Sequence, residues 1–174
     1  MVTCKDYAQF VKNKLKTKIK GMEKKPVLAI IQVGDNQASN SYVKGKIKDC
    51  EEVGIRCIVS KLDKDIEEHE LLYHIELTTC AADGIIVQLP LPKHINVEHV
   101  KNAIPKEKDV DGFRLDSKFD CCTPKGIIDW LYFNGYDVCG KNVVVLGRSE
   151  IVGKPLVNML IDRGATVTCC NSHT

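Results

Sequence analysis

No apolar run in the 174 residues approaches the roughly 20 needed for a helix that crosses a bilayer. The Lys-rich N-terminus lacks the apolar core of about 7–15 residues that marks a secretion signal. An excess of one charge is missing too. The 25 Lys and Arg against 23 Asp and Glu leave a net +2, which makes no case for nucleic acid or a membrane as an obligatory partner. The nine cysteines (4, 50, 57, 80, 121, 122, 139, 169 and 170) include no Cys-x-x-Cys. Neither adjacent pair closes a disulfide within itself without distorting the backbone. Cys57, Cys169 and Cys170 fall in expected strands as small hydrophobes, and all nine read as reduced thiols of a cytoplasmic protein. His69 and His74 are five apart, as are His94 and His99; that is about 140° around a helix, so no metal set is expected.

There is also no internal repeat, low-complexity tract or Gly/Ser linker. The length fits one generous domain or two small ones, and 44% hydrophobic with 28% charged residues is ordinary for a globular chain. Apolar periodicity predicts a helix over 4–22, a buried strand over 27–33 and a helix from Ser39 to Gly54. A strand over 55–62, a helix over 66–79 and a short apolar strand over 84–88 follow. Leu89-Pro90-Leu91-Pro92 forces an extended exit. A short helix over 97–103 and a polar loop over 105–112 come next, then a helix with Thr123 as N-cap and Pro124 at its first position. Strands at 142–146 and 165–170 flank a helix at 151–163. Such alternation implies an α/β protein with mostly parallel pairing.

Ala38-Ser39-Asn40-Ser41-Tyr42-Val43-Lys44-Gly45-Lys46 follows the first buried strand and its turn Gly34-Asp35-Asn36. Tyr42 and Lys46, four apart, stand one above the other on one helix face. An aromatic platform beside an amine at a strand-to-helix turn is a usable reaction site; a solvated lysine beside a half-buried tyrosine is the ordinary outcome of the same spacing. The later turn Gly147-Arg148-Ser149 opens a second βαβ unit at a helix N-terminus, a place suited to phosphate. Gly147 and Gly153 are six apart, so this is not Gly-x-Gly-x-x-Gly, and a structural β-turn-α stays an alternative. Arg148 suits an extra phosphate such as the ribose 2′-phosphate of NADP.

Six segments together resemble the methylenetetrahydrofolate dehydrogenase/cyclohydrolase family. They are Val33-Gly34-Asp35-Asn36 with Ala38-Ser39; Tyr42-Val43 with Lys46; Gly84 to Pro92; Lys108-Asp109-Val110-Asp111-Gly112-Phe113; Cys122-Thr123-Pro124 with Gly126; and Val145 to Ser149 with Ile151 to Pro155. The resemblance implies an N-terminal three-layer α/β catalytic domain with a mostly parallel sheet, over 1–120. A connecting helix (121–138) and a partial Rossmann-like dinucleotide-binding domain (139–174) complete the expected layout. It implies oxidation of 5,10-methylene-tetrahydrofolate by NADP, or in some members NAD, and hydrolysis of the methenyl cation to 10-formyl-tetrahydrofolate. A homodimer working in one-carbon metabolism and purine biosynthesis in the cytoplasm is implied as well.

Carried over by position, Lys46 is the catalytic amine, Gln88 orients it, Tyr42 stacks on the folate and Asp111 holds the pterin. Ser39, Leu89 and Pro90 line the substrate, and Gly147, Arg148, Ser149, Ile151, Val152, Gly153 and Ser172 bind the cofactor. An ordinary lysine, with a pKa of about 10.4, is a poor base at neutral pH, but burial or a cationic substrate disfavours its charged form. A strand-end Gln is more often hydrated, and Asp-Gly in a loop is more often a turn. Asp109 competes with Asp111, and only the family pattern favours Asp111. Cys121 stands where the family commonly has Pro. Family members continue well beyond position 174, so a compromised dehydrogenase half is expected. A truncated, non-catalytic folate-binding or dimerisation module is the alternative, and a different dinucleotide-dependent oxidoreductase is a third reading.

Overall fold

Val27–Val33 is apolar except for Gln32, and as strand β1 it lies at the centre of the first sheet, hydrogen-bonded to a neighbour on each side. The computed structural model describes residues 1–174. In order, the elements are α1 (Cys4–Lys20), β1 (Val27–Val33), α2 (Gln37–Val53), β2 (Arg56–Leu62), α3 (Glu68–Ala81) and β3 (Gly84–Gln88). They continue with α4 (Val97–Ala103), α5 (Cys122–Phe133), β4 (Asn142–Leu146), α6 (Gly153–Ile161) and β5 (Thr166–Cys170). Two units separate. One holds Gln9–Val110 with Arg114–Phe119, the other Met1–Ala8, Asp111–Phe113 and Asp120–Thr174.

In the larger unit the sheet order is β2-β1-β3, all parallel. The chain leaves β1 for β2 on one side, then crosses back over β1 to reach β3. Right-handed crossovers in opposite directions put α2 and α3 on opposite faces, giving three layers. Leu28, Ile30 and Ile86 on one face pack against Val43 and Ile47 of α2. On the other face Ala29, Ile31, Ile85 and Val87 are buried, and α3 covers β1 and β3 with Leu71 and Ile75. The connections after β1 and β3 depart in opposite directions, so the C-terminal ends of these neighbours form the crevice where α/β sheets bind ligands.

The smaller unit pairs β4 with β5 in parallel. Val143, Val145 and Val167 pack with Ile128 of α5 and Met159 and Leu160 of α6. The opposite face stays open at Val144 and Leu146, the latter 84% exposed; two strands alone do not cover it. Tyr7 stacks obliquely on Phe133, and Trp130 Nε1 donates to the Val2 carbonyl (3.0 Å), so residues 1–8 pack with α5.

Several helix ends differ from the expected ones. Asn36, not Ser39, caps α2: its side-chain oxygen accepts from the Ser39 amide (3.1 Å), which leaves Ser39 inside the first turn and Ser41 in the second. Gly54, at φ 87°, closes α2 in the left-handed conformation, with its amide on the Cys50 carbonyl. A Glu67/Glu70 capping box starts α3 two residues late. α5 begins at Cys122, so Pro124 occupies the third helical position, where its missing N–H leaves no bond unmade. α6 is shorter than expected at both ends, because Ile151 and Val152 stay in the preceding turn and Asp162 and Arg163 belong to the turn that follows. All nine cysteines are free thiols. Cys57 and Cys170 are half-buried, but Cys169, near the end of edge strand β5, is exposed.

Candidate functional site

On α2, Asn40, Val43 and Ile47 recur at helical spacing on the side facing the sheet, while Ser39, Tyr42 and Lys46 form the adjoining stripe. The second stripe runs beside the end of β3. Lys46 Nζ donates to Gln88 Oε1 at 3.2 Å. Gln88 Nε2 donates to the Leu89 carbonyl at 2.8 Å, and Ser39 Oγ donates to the same carbonyl at 3.2 Å. These bonds fix the Gln88 carboxamide: turned over, it would aim a donor at the lysine and an acceptor at a carbonyl. The Leu89-Pro90 peptide is cis, and Pro90 is exposed. Lys46 and Gln88 are half-buried, whereas Tyr42 is 68% exposed, an open ring one helical turn before the amine.

Gln32 was not among the expected site residues. It is 3% exposed at the penultimate position of β1. Its Nε2 donates to Asn40 Oδ1 (2.7 Å) and to the Gly34 carbonyl (3.2 Å). Asn40 Nδ2 donates in turn to Asp35 Oδ1 (2.9 Å), which also pairs with Lys61. Hydrogen bonding from Lys61, then from Asn40, holds the Asp35 carboxyl below the usual carboxylate range. The signal was one amide in an otherwise apolar buried strand, because such a side chain needs partners.

Asp109 is wholly buried. Its Oδ2 accepts from the Arg114 amide (2.8 Å), and its carbonyl accepts from Ser117 Oγ (3.0 Å). The Arg114 guanidinium reaches the Asn102 and Ile104 carbonyls and pairs with Asp116. Asp109 is therefore engaged in holding its own loop, whereas Asp111 is half-buried in the segment 111–113 of the smaller unit.

In that unit, strand register sets the second group of residues. Leu146 pairs with Cys170, and the Gly147 amide donates to the Cys170 carbonyl (2.8 Å). Arg148 and Ser172, both exposed, thus lie just past the same end of the sheet. Ser149 accepts twice, through Oγ from the Gly153 amide (3.3 Å) and through its carbonyl from the Lys154 amide (3.0 Å). A Cβ on Gly153 would stand 2.2 Å from the Gly147 carbonyl oxygen, so only glycine permits this tight turn. The turn leads with Arg148 into the N-terminus of α6, beside exposed Ile151 and half-buried Val152. A glycine-tightened turn, a cation and a helix N-terminus fit the phosphates of a dinucleotide.

Comparison with known proteins places both units. Residues 2–111 match the family model described as tetrahydrofolate dehydrogenase/cyclohydrolase, catalytic domain. Residues 121–174 match the corresponding NAD(P)-binding domain. The bifunctional protein FolD of Paracidovorax citrulli is 46% identical over 160 residues, 86% of this chain and 56% of that protein. FolD of a Hydrogenobaculum species is 40% identical over 183 residues, 98% of this chain and 66% of its own length. Among solved structures, the Campylobacter jejuni bifunctional enzyme FolD superposes with a TM-score of 0.92 at 41% identity, over 98% of this chain and 66% of that one. The Trypanosoma brucei methylenetetrahydrofolate dehydrogenase-cyclohydrolase, complexed with NADP and an inhibitor, gives 0.89 at 28% identity, over 100% of this chain and 65% of its own. The chain thus spans between about half and two thirds of the length of these relatives.

Proposed function

Because the chain belongs to the tetrahydrofolate dehydrogenase/cyclohydrolase family, we propose that it acts on one-carbon derivatives of tetrahydrofolate. The substrate is 5,10-methylene-tetrahydrofolate, oxidised to the methenyl cation, which one water then opens to 10-formyl-tetrahydrofolate with release of one proton. The observation that carries this reading is the Lys46–Gln88 contact beside the open Tyr42 ring, in the crevice at the ends of β1 and β3.

Tyr42 offers the flat pterin a stacking face. Gln88, held by Leu89, keeps its oxygen on Lys46 and so aims the amine into the crevice. A bound methenyl cation repels an ammonium, which favours the uncharged amine beside it; that amine takes the proton from the attacking water and delivers it as the ring opens. Asp111 suits the amino-pyrimidine edge of the pterin as a hydrogen-bond acceptor, and Ser39, Leu89 and Pro90 line the substrate. NADP, or NAD, supplies the hydride acceptor when bound. Arg148 and Ser172 take the 2′-phosphate, while Gly147, Ser149, Ile151, Val152 and Gly153 carry the pyrophosphate. Residues 1–120 serve as the folate-binding domain, 121–138 as its connecting helix and 139–174 as part of the cofactor domain. A second copy of the chain is the partner in a cytoplasmic homodimer that supplies formyl groups for purine biosynthesis.

The test is spectroscopic assay of methenyl-tetrahydrofolate hydrolysis by folded wild type and Lys46→Ala. Loss of hydrolysis in the variant is expected. Folded wild type without Lys46-dependent hydrolysis, but with calorimetric folate binding, would replace this reading by the non-catalytic module.

A further inference from the structure

Lys61, Gln32 and Gln88 form one row across the sheet: Gln32 is in register with Lys61 on β2 and with Gln88 on β3. Register partners on parallel strands project to the same face, here the face that carries α2. Each member of the row holds a different point of that helix or of the turn before it. Lys61 pairs with Asp35 in the turn, Gln32 donates to Asn40 in the first helical turn, and Gln88 accepts from Lys46 two turns further on.

We propose that Gln32 is a positioning residue for Lys46, acting through Asn40; the inference rests on the catalytic reading of Lys46 given above. A helix packed on a sheet by Val43 and Ile47 alone can roll or slide, because apolar contacts are non-directional. The Gln32–Asn40 bond removes that freedom at the N-terminal end. It is short, buried and directional, and Gln32 cannot release it without leaving one N–H of its amide unpaired inside the protein, the other being held by the Gly34 carbonyl. The Asn40–Asp35–Lys61 chain fastens the same point to β2. With one end set, the rise and rotation of α2 determine where Lys46 meets Gln88. The Gln32 side chain is bonded to Gly34 and Asn40 and makes no hydrogen bond to Tyr42, Lys46 or Gln88, so its hold on Lys46 runs through Asn40 and the helix.

The experiment compares Gln32→Met, close in volume but without the amide donor, with Asn40→Leu, Lys46→Ala and the Gln32→Met/Lys46→Ala double variant. Each is assayed for methenyl-tetrahydrofolate hydrolysis after thermal denaturation has confirmed folding. Either single positioning variant is expected to lower kcat on the order of 10-fold while KM changes less than about 2-fold, the signature of misplacement rather than lost binding. Gln32→Met is expected to cost nothing further once Lys46 is gone. In parallel, the Lys46 side-chain resonance is titrated by NMR in wild type and Gln32→Met, and a displaced curve is expected. Unchanged kcat and an unchanged Lys46 titration in folded Gln32→Met overturn the inference while leaving the catalytic reading intact. If wild type lacks Lys46-dependent hydrolysis, the catalytic reading fails instead, and the Lys46 titration alone decides whether Gln32 positions the amine. If Gln32→Met does not fold, Asn40→Leu gives the same two readouts.

Discussion

Ser39 Oγ and the Leu89 carbonyl meet at 3.2 Å across 50 residues of sequence, joining the first turn of α2 to the end of β3. The bond exists because Asn36 caps the helix, leaving the Ser39 hydroxyl available and its residue almost fully buried. Ser39→Ala is expected to lower stability by about 1 kcal/mol, the usual net value of such a bond. The loss stays moderate because Gln88 Nε2 still satisfies Leu89. Thermal denaturation of variant and wild type measures it. A loss above about 3 kcal/mol would mean that Leu89 depends on Ser39 rather than on Gln88.

Two glycines make opposite predictions. At Gly153 an added methyl meets the backbone oxygen of Gly147 at 2.2 Å, and a carbonyl in a tight turn has no rotamer to yield. Gly153→Ala is expected to cost at least the 1–3 kcal/mol typical of overpacking and to weaken NADP binding in calorimetry. At Gly45, inside α2, a methyl meets nothing within 4 Å. Gly45→Ala is expected to stabilise by about 0.5–1 kcal/mol through helix propensity. Thermal midpoints moving in opposite directions would bear out both.

Local rules carried most of the fold. β1, β3 and α4 fall where apolar runs and period place them, since burial on both faces leaves few alternatives for a run such as Gly84–Gln88. Helix starts were less legible. Three residues in a row between Gln37 and Ser39 could follow a cap, and only the reach of the Asn36 side chain decides among them. The Lys46–Gln88 pairing could not come from spacing, being a contact over 42 residues; the motif resemblance suggested it. Neither period nor motif separates a structural amide such as Gln32 from one bonded to a helix, whereas its bond to Asn40 across the sheet–helix interface does.

The acid limb of stability is set by carboxylates such as Glu68. Glu68 Oε2 accepts from the Asn96 amide at the start of α4 (2.6 Å), and Oε1 contacts His99 Nδ1 (2.6 Å). The Asn96 amide first, and His99 second, hold its carboxyl below the usual glutamate value of about 4.3. Asp35, beside Lys61, and Asp116, beside Arg114, are held low in the same way. A folded-state value below the unfolded one means that the unfolded chain takes up protons first as pH falls. The contribution of each group is therefore complete above its unfolded value and is lost as pH drops through the folded one. The thermal midpoint is expected to fall progressively below about pH 4.5. Glu68→Gln keeps an oxygen for the Asn96 amide but cannot titrate, so it should lower the midpoint at pH 7 and flatten its decline in acid. Parallel acid limbs for variant and wild type would show that Glu68 keeps its ordinary affinity for protons in the folded chain.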